Sequence, residues 1–200
     1  MSRAICSHCH RAQKVCICDF IQPIDNQVEI GILQHPTETK QIKGTAIIAK
    51  NSLQCFQYWE GESLQELPGL VNWLNDGKQV YLLYPKTEDA DSMVKVQGVD
   101  FLKSQDKAAF RILILDGTWR KTFKMMQLNP SLQKLDRVAL IPSELSKYKI
   151  RKQKNEQSLS TVEAVYELLS QLEDSESEDK FKPLLTAFEN MQQQQLAFRQ

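Results

Sequence analysis

Two groups of residues in this chain have the types and spacing to do chemistry: Asp116-Gly117-Thr118-Trp119, and four cysteines within the first eighteen positions. Asp116 ends an unbroken aliphatic run, Ile112 to Leu115. A carboxylate at the C-terminal end of a buried parallel strand lies in the crevice where open α/β sheets hold ligands. The same residue also suits the cap of a following helix, since Asp is a favoured N-cap. Cys6-x2-Cys9-x6-Cys16-x-Cys18 brings four thiols together, with Arg3, His8, His10, Arg11 and Lys14 around them. In a reducing compartment such a cluster reads as a metal site in preference to two disulfides. Four thiolates suit Zn²⁺ in a closed tetrahedral site that holds structure and activates no water. The binding free energy then folds a segment too short to build a core. Cys16-x-Cys18 is a tight spacing, so His8 or His10 is an alternative fourth ligand, and an iron–sulfur cluster an alternative to zinc. Cys55, inside the apolar run Leu53 to Trp59, is expected in the core.

The elements that must position these groups alternate between strand and helix. Val28 to Leu33 has the pattern of a first strand and ends in Gln34-His35-Pro36-Thr37-Glu38, whose proline keeps His35 out of a helix. Thr45 to Lys50 reads as a short helix and Gln54 to Trp59 as a strand. Leu64 to Asn75 reads as a helix interrupted early by Pro68-Gly69 and closed at Asp76-Gly77. Gln79 to Tyr84 is a strong strand halted by Pro85; residues 92–108 carry no clear pattern. The Asp116 strand follows, then a helix from Arg120 to Leu128, the breaker Asn129-Pro130, and a strand from Arg137 to Pro142. Ser143 to Lys154 reads as an exposed basic loop. Ser160 three residues ahead of Glu163 forms a capping box before an apolar periodic run, and a last helix spans Phe181 to Phe198. This alternation gives an α/β fold with a mainly parallel sheet flanked by helices. The loops after its strands then share one edge.

Two hundred residues, 42% of them hydrophobic, bury one sizeable core. The zero net charge conceals an asymmetry: from Arg111 to Asn155 there are eleven Lys or Arg against three acids. Acids gather instead in Glu173 to Asp179, which reads as a solvated flexible loop. A basic half around the Asp116 strand points to a polyanionic partner. Isolated glycines at 98 and 117 exclude a phosphate-cradling loop, and one histidine outside the cysteine cluster excludes a convincing nucleophile triad. No apolar run is long enough for a membrane span, and the first residues lack the apolar core of a signal peptide, so a cytoplasmic protein without membrane contact is expected.

Five motifs together carry a resemblance: the four cysteines, Gln34-His35-Pro36-x-Glu38, Leu82-Leu83-Tyr84-Pro85, Leu115-Asp116-Gly117-Thr118-Trp119, and Tyr148-x-Ile150-Arg151-Lys152-Gln153 with Leu159-Ser160-Thr161-x-Glu163-Ala164. In this order, from Cys6 to about Ala164, they resemble the DTW-domain family. Lys154, where a proline is common, and Lys43-Gly44-Thr45, where an Asn-Thr pair is usual, depart from the family pattern.

The resemblance implies a SPOUT-like α/β domain over residues 25–200 with a C-terminal trefoil knot, preceded by a zinc knuckle over residues 1–24 held by Cys6, Cys9, Cys16 and Cys18. It implies transfer of the 3-amino-3-carboxypropyl group of S-adenosylmethionine to N3 of a uridine in tRNA. Asp116 would be the general base, with Thr118 and Trp119 shaping the pocket and Trp119 stacking on a base. Burial would raise the Asp116 pKa, and surrounding cations would lower it. Tyr84, Pro85, Leu115, Gly117, Ser160, Thr161 and Glu163 would hold S-adenosylmethionine. His35, Arg120, Lys121, Lys149, Arg151, Lys152 and Lys154 would face tRNA. For single residues, ordinary roles compete: core packing for Trp119, helix capping for Ser160 and Glu163, and solvation for any one lysine. A methyltransferase on the same scaffold and a non-catalytic zinc-containing RNA-binding module are the alternative functions.

Overall fold

In the computed structural model, residues 4–39, 41, 43–85, 94–140, 159–173 and 179–197 are described. Among them, six strands form one sheet: β1 (Glu29–Gln34), β2 (Phe56–Glu60), β3 (Gln79–Leu83), β4 (Val96–Gly98), β5 (Phe110–Asp116) and β6 (Arg137–Ala139). Their order is β2-β1-β5-β3-β6-β4, and every pairing is parallel. The described helices are α1 (Ala46–Ser52), α2 (Pro68–Asn75), α3 (Asp100–Lys103), α4 (Trp119–Leu128), α5 (Pro130–Gln133), α6 (Thr161–Leu172) and α7 (Lys182–Ala197).

β5 lies between β1 and β3, so its aliphatic residues are covered on both faces. This burial is why the strand is continuous in hydrophobicity and does not alternate. On one face, Ile30, Ile32, Ile112 and Ile114 share a core with Ile48 of α1, Val165 and Leu169 of α6, and Leu184 and Phe188 of α7. On the other, Leu33, Leu82, Leu113 and Leu115 meet Leu70 and Trp73 of α2 and Met125 and Met126 of α4. Gly31 is required on that second face: a Cβ there would come within 2.8 Å of the Trp73 ring and 3.0 Å of Trp59. Cys6, Cys9 and Ile17 of the N-terminal segment join the first core, so this segment packs directly on the sheet's helical layer.

Several details differ from the sequence expectation. Pro68 does not interrupt a helix. A 3-10 turn over Leu64–Glu66 precedes it and the proline occupies the first position of α2, where its missing N–H costs nothing. Cys55 is exposed and outside the core, because the bend ahead of β2 is fixed through its backbone. Its N–H donates to Asn26 Oδ1 at 3.1 Å and its carbonyl accepts from Asn26 Nδ2 at 2.9 Å. Residues 92–108 contain β4 and α3. Glu173 is no part of a solvated loop: its side chain is 4% exposed and accepts the backbone N–H groups of Gln27 and Val28 at 2.8 and 2.7 Å. The expected knot, positions 174–178 of the expected acidic loop, and the expected basic loop from Ser143 to Lys154 lie outside the described residues.

Candidate active site

β1 is followed by α1 and runs on to β2, while β5 is followed by α4 and α5 and runs on to β6. The two connections leave adjacent strands in opposite directions and on opposite faces. The crevice they leave beyond the strand ends is the topological switch point, where open α/β sheets bind ligands. Gln34 and Asp116 are the last residues of β1 and β5 and stand in register across that crevice.

Asp116 does not cap α4; Thr118 occupies that position. Its carboxylate is instead a bridge. Oδ2 accepts from Gln34 Nε2 at 2.5 Å, and Oδ1 accepts from the Thr161 hydroxyl at the start of α6. Gln34 is itself oriented, because the Tyr58 hydroxyl donates to its Oε1 at 2.6 Å. That bond fixes which end of the amide faces Asp116, so the carboxylate is held as an acceptor. Burial raises the Asp116 pKa, the Thr161 and Gln34 hydrogen bonds pull it back, and the Glu38 charge raises it further. Each carboxylate oxygen has a second lone pair, leaving capacity for one more donor.

A cleft of about 380 Å³ opens on the Thr161 side of this bridge. Its walls come from the ends of β3, β5 and β6 and the starts of α4 and α6: Tyr84 and Pro85, Leu115 to Trp119 apart from Asp116, Val138 to Leu140, and Leu159 with Thr161. Trp119 is 57% exposed, so it is no core residue. Its ring meets Tyr84 edge-on at 5.8 Å between centroids. Arg137 lies over the other aromatic, 5.4 Å from the Tyr84 ring, and donates to the Pro85 carbonyl at 3.3 Å. At Gly117 a Cβ would come within 3.3 Å of the Lys121 Cβ and make ordinary contact with His35 at 3.6 Å, so the turn out of β5 lies against both.

The four predicted cysteines converge, with all Sγ atoms within 4.8 Å of one another. Cys6 and Cys18 are 3.6 Å apart, and Cys9 and Cys16 are 3.7 Å apart. A tetrahedron of thiolates about 2.3 Å from a central ion has edges of about 3.8 Å, so the donor set fits a metal. Neither His8 nor His10 belongs to this set. Backbone N–H groups of Cys9 and His8 pull the Cys6 thiol down to about 6, whereas burial and then the neighbouring thiols push Cys18 up to about 12.

A family model for the DTW domain matches residues 3–196. The chain belongs to the DTW-domain family. It is similar to proteins named tRNA-uridine aminocarboxypropyltransferase 2: 31% identical over 178 residues to that of Drosophila melanogaster, 28% over 176 to that of Macaca fascicularis, and 26% over 176 to that of Mus musculus. These matches cover 84%, 86% and 86% of this chain and 66%, 57% and 57% of the relatives, so the chain spans less than two thirds of their length. No solved structure matches it.

The remaining residues singled out in this DTW chain fall into three groups. Ser160 and Glu163 form the expected capping box, with Glu163 Oε2 accepting the Ser160 N–H at 2.8 Å and its hydroxyl at 2.6 Å; neither lines the cleft. His35 is 5% exposed and engaged at both ring nitrogens, by Glu62 at 2.7 Å and by Thr37, so it cannot serve as a surface contact for RNA. Arg120 is exposed beside Trp119, whereas Lys121 pairs with Glu38 at 2.6 Å; Lys149, Arg151, Lys152 and Lys154 lie outside the described residues. The basic asymmetry is also smaller at the surface than in sequence. Arg111, 4% exposed, bonds Asp76 at 2.8 Å and the Trp73 carbonyl at 2.5 Å at the opposite end of β5. Sequence reasoning noted Gln34 as strand punctuation and as part of a family motif, without a role in the site, and passed over Tyr58. Their signal was a buried amide at a strand end, which becomes meaningful only once β1 and β5 are known to be neighbours.

Proposed function

We propose that this protein transfers the 3-amino-3-carboxypropyl group of S-adenosylmethionine to N3 of a uridine in tRNA. The observation that carries the proposal is the Asp116 carboxylate: it is half-buried, raised in pKa and held between Gln34 and Thr161 at the edge of a ligand-sized cleft. The family membership and the relatives' names support the same reaction. The cleft's size falls within the roughly 300–1,000 Å³ of small-molecule sites. Its lining suits a nucleoside donor: Leu83, Ile114, Val138 and Leu140 are apolar, and Thr118, Thr122 and Thr161 add polar residues.

Bound S-adenosylmethionine supplies a methylene already activated by its sulfonium. Asp116 takes the proton from N3, the N3 lone pair forms the new bond to carbon, and the carbon–sulfur pair leaves with neutral methylthioadenosine. Thr161 and Gln34 hold the carboxylate in place for that proton. A raised pKa suits a base that must accept it. Thr118 and Trp119 form the mouth of the cleft, where the exposed indole offers a base a stacking surface. Arg120 and the basic segment around Lys149, Arg151, Lys152 and Lys154 neutralise tRNA phosphates. Cys6, Cys9, Cys16 and Cys18 hold structural Zn²⁺. Mass analysis of tRNA nucleosides after incubation with protein and S-adenosylmethionine tests the reading: an aminocarboxypropyl adduct supports it, a methyl adduct assigns the alternative reaction, and unmodified tRNA refutes both.

A further inference from the structure

α4 buries only one side. Thr122, Met125 and Met126 face the protein, so the helix turns Trp119, Arg120, Phe123, Lys124, Gln127 and Leu128 outward. Of the seven large apolar side chains exposed among the described residues, three belong to this one helix: Trp119 at 57%, Phe123 at 45% and Leu128 at 49%. Single exposed apolar residues are ordinary, whereas a cluster of them on one element marks a contact surface. Residues four apart are neighbours on a helix. Trp119 and Phe123 therefore form one row along α4, and Arg120, Lys124 and Leu128 form the row beside it.

We infer that this face of α4 carries the unpaired nucleotides beside the acceptor uridine, with Phe123 as a second stacking platform after Trp119 and Arg120 meeting the phosphate backbone. The inference rests on the function proposed above, which makes tRNA the partner, and adds to it the path by which the RNA leaves the cleft. Its first support is continuity. Trp119 belongs both to the cleft lining and to the outer row of α4, so a nucleotide held at the mouth leads its neighbour onto the next turn, where Phe123 stands. The second support is charge. α4 contains no acidic residue, and Arg120 is exposed without an ion-pair or hydrogen-bond partner among the described residues. Lys121 and Lys124 add nothing to this argument, because Glu38 and Glu62 already hold them at 2.6 and 2.5 Å. The third support is the combination itself. Aromatic rings on which bases stack, beside a cation that follows the backbone, are how proteins hold single strands with little regard to sequence. A duplex would leave the two rings idle, since its bases are already stacked on one another; the segment that fits is therefore unpaired.

The test compares Phe123→Ala, Phe123→Leu, Phe123→Tyr and Arg120→Gln in the full chain. Filter retention gives the Kd for tRNA without turnover, titration calorimetry gives the Kd for S-adenosylmethionine, and thermal unfolding shows whether the ring at 123 is packed within the protein. Phe123→Ala and Phe123→Leu are each expected to weaken tRNA binding by about tenfold, the loss of one base–aromatic stack, while Phe123→Tyr stays within about twofold of wild type. Phe123 is not in the cleft lining, so the Kd for S-adenosylmethionine should stay within about twofold in all three. Arg120→Gln should reduce the slope of log Kd for tRNA against log salt by about 0.7, the share of one phosphate on a single strand. Leu serving as well as Tyr would mean an apolar contact without stacking and would overturn the inference. Unchanged tRNA affinity in folded Phe123→Ala would overturn it too and leave the face to a protein partner, and a clearly lowered Tm in that variant would assign the ring to the protein's own packing. Wild-type protein that binds tRNA through this face yet adds nothing to uridine would instead refute the proposed reaction alone.

Discussion

Asp116→Asn separates the base from the scaffold around it. The amide is nearly isosteric, and the surrounding bonds can be kept. Because Tyr58 pins the Gln34 amide, Gln34 still donates from Nε2, and the carbonyl of the introduced amide accepts it. The nitrogen of that amide then donates to Thr161, whose hydroxyl is free to rotate from donor to acceptor. Both contacts survive, so the loss of hydrogen bonding should be under about 1 kcal/mol. The charge is what disappears. The folded-state pKa of Asp116 is raised, chiefly by burial. For a raised carboxylate, the stabilisation is present below the unfolded-state pKa of about 3.9 and is lost as pH rises through the folded value. Wild-type protein thus carries at neutral pH a penalty that the variant lacks. Asp116→Asn should match or exceed the wild-type Tm at pH 7 and lose that advantage in acid. Activity should fall by about 10²–10⁴-fold, the usual contribution of a positioned general base. Asp116→Ala, by contrast, strands the Gln34 and Thr161 donors at about 1–3 kcal/mol each. Thermal unfolding across pH and nucleoside mass analysis provide the readouts. An Asn variant with wild-type turnover would refute the base assignment; one that melts several degrees below wild type at pH 7 would refute the account of the bridge.

In wild-type protein the rate of the chemical step should rise with pH through a midpoint above the ordinary carboxylate value of about 3.9, and a single-turnover profile with a midpoint at or below it would contradict the raised Asp116 pKa. Chelation, or Cys9→Ser, should release one metal ion per chain and lower Tm of the whole domain, because Cys6, Cys9 and Ile17 belong to the main core; metal analysis with calorimetry checks this. Gly31→Ala should cost about 1–3 kcal/mol through the clash with Trp73 and Trp59, measured by urea unfolding. Ser160→Ala should cost about 1 kcal/mol by removing the cap of α6, with its effect on activity limited to what Thr161 loses in position.

What was legible in the sequence is what local physics determines. The run Ile112 to Leu115 specified a doubly covered strand, and Ser160 with Glu163 specified a helix start, because each depends on residues within a few positions. The convergence of the four cysteines was legible because their spacing is the one that shared metal ligands would require. What was not legible depended on neighbours distant in sequence. Cys55 looked like a core residue until Asn26 captured the backbone on either side of its side chain and turned it outward. Arg111 counted toward a basic surface until Asp76 and Glu29 enclosed it, and His35 toward RNA until Glu62 did the same. Each case turns on a polar group whose partner is remote in the chain, and burial without that partner would have been prohibitive.

The same reasoning explains why the switch point is the place to look for function. A parallel sheet buries its strands on both faces, and polar side chains there are costly unless their partners are all supplied. Gln34, Asp116, Tyr58 and Thr161 come from β1, β5, β2 and the start of α6, and each satisfies another. Stability alone would be served as well by apolar residues at these strand ends, since a buried polar network at best breaks even with well-packed hydrophobic ones. The network holds a carboxylate with a raised pKa at the edge of the cleft, and apolar replacements would remove that. Its cost in stability is therefore the measure to compare with the rate it supports. If an apolar triple variant at Gln34, Tyr58 and Asp116 is more stable than wild type while inactive, the bridge exists for chemistry; if it is both less stable and inactive, the bridge is part of the core, and the argument from its cost fails.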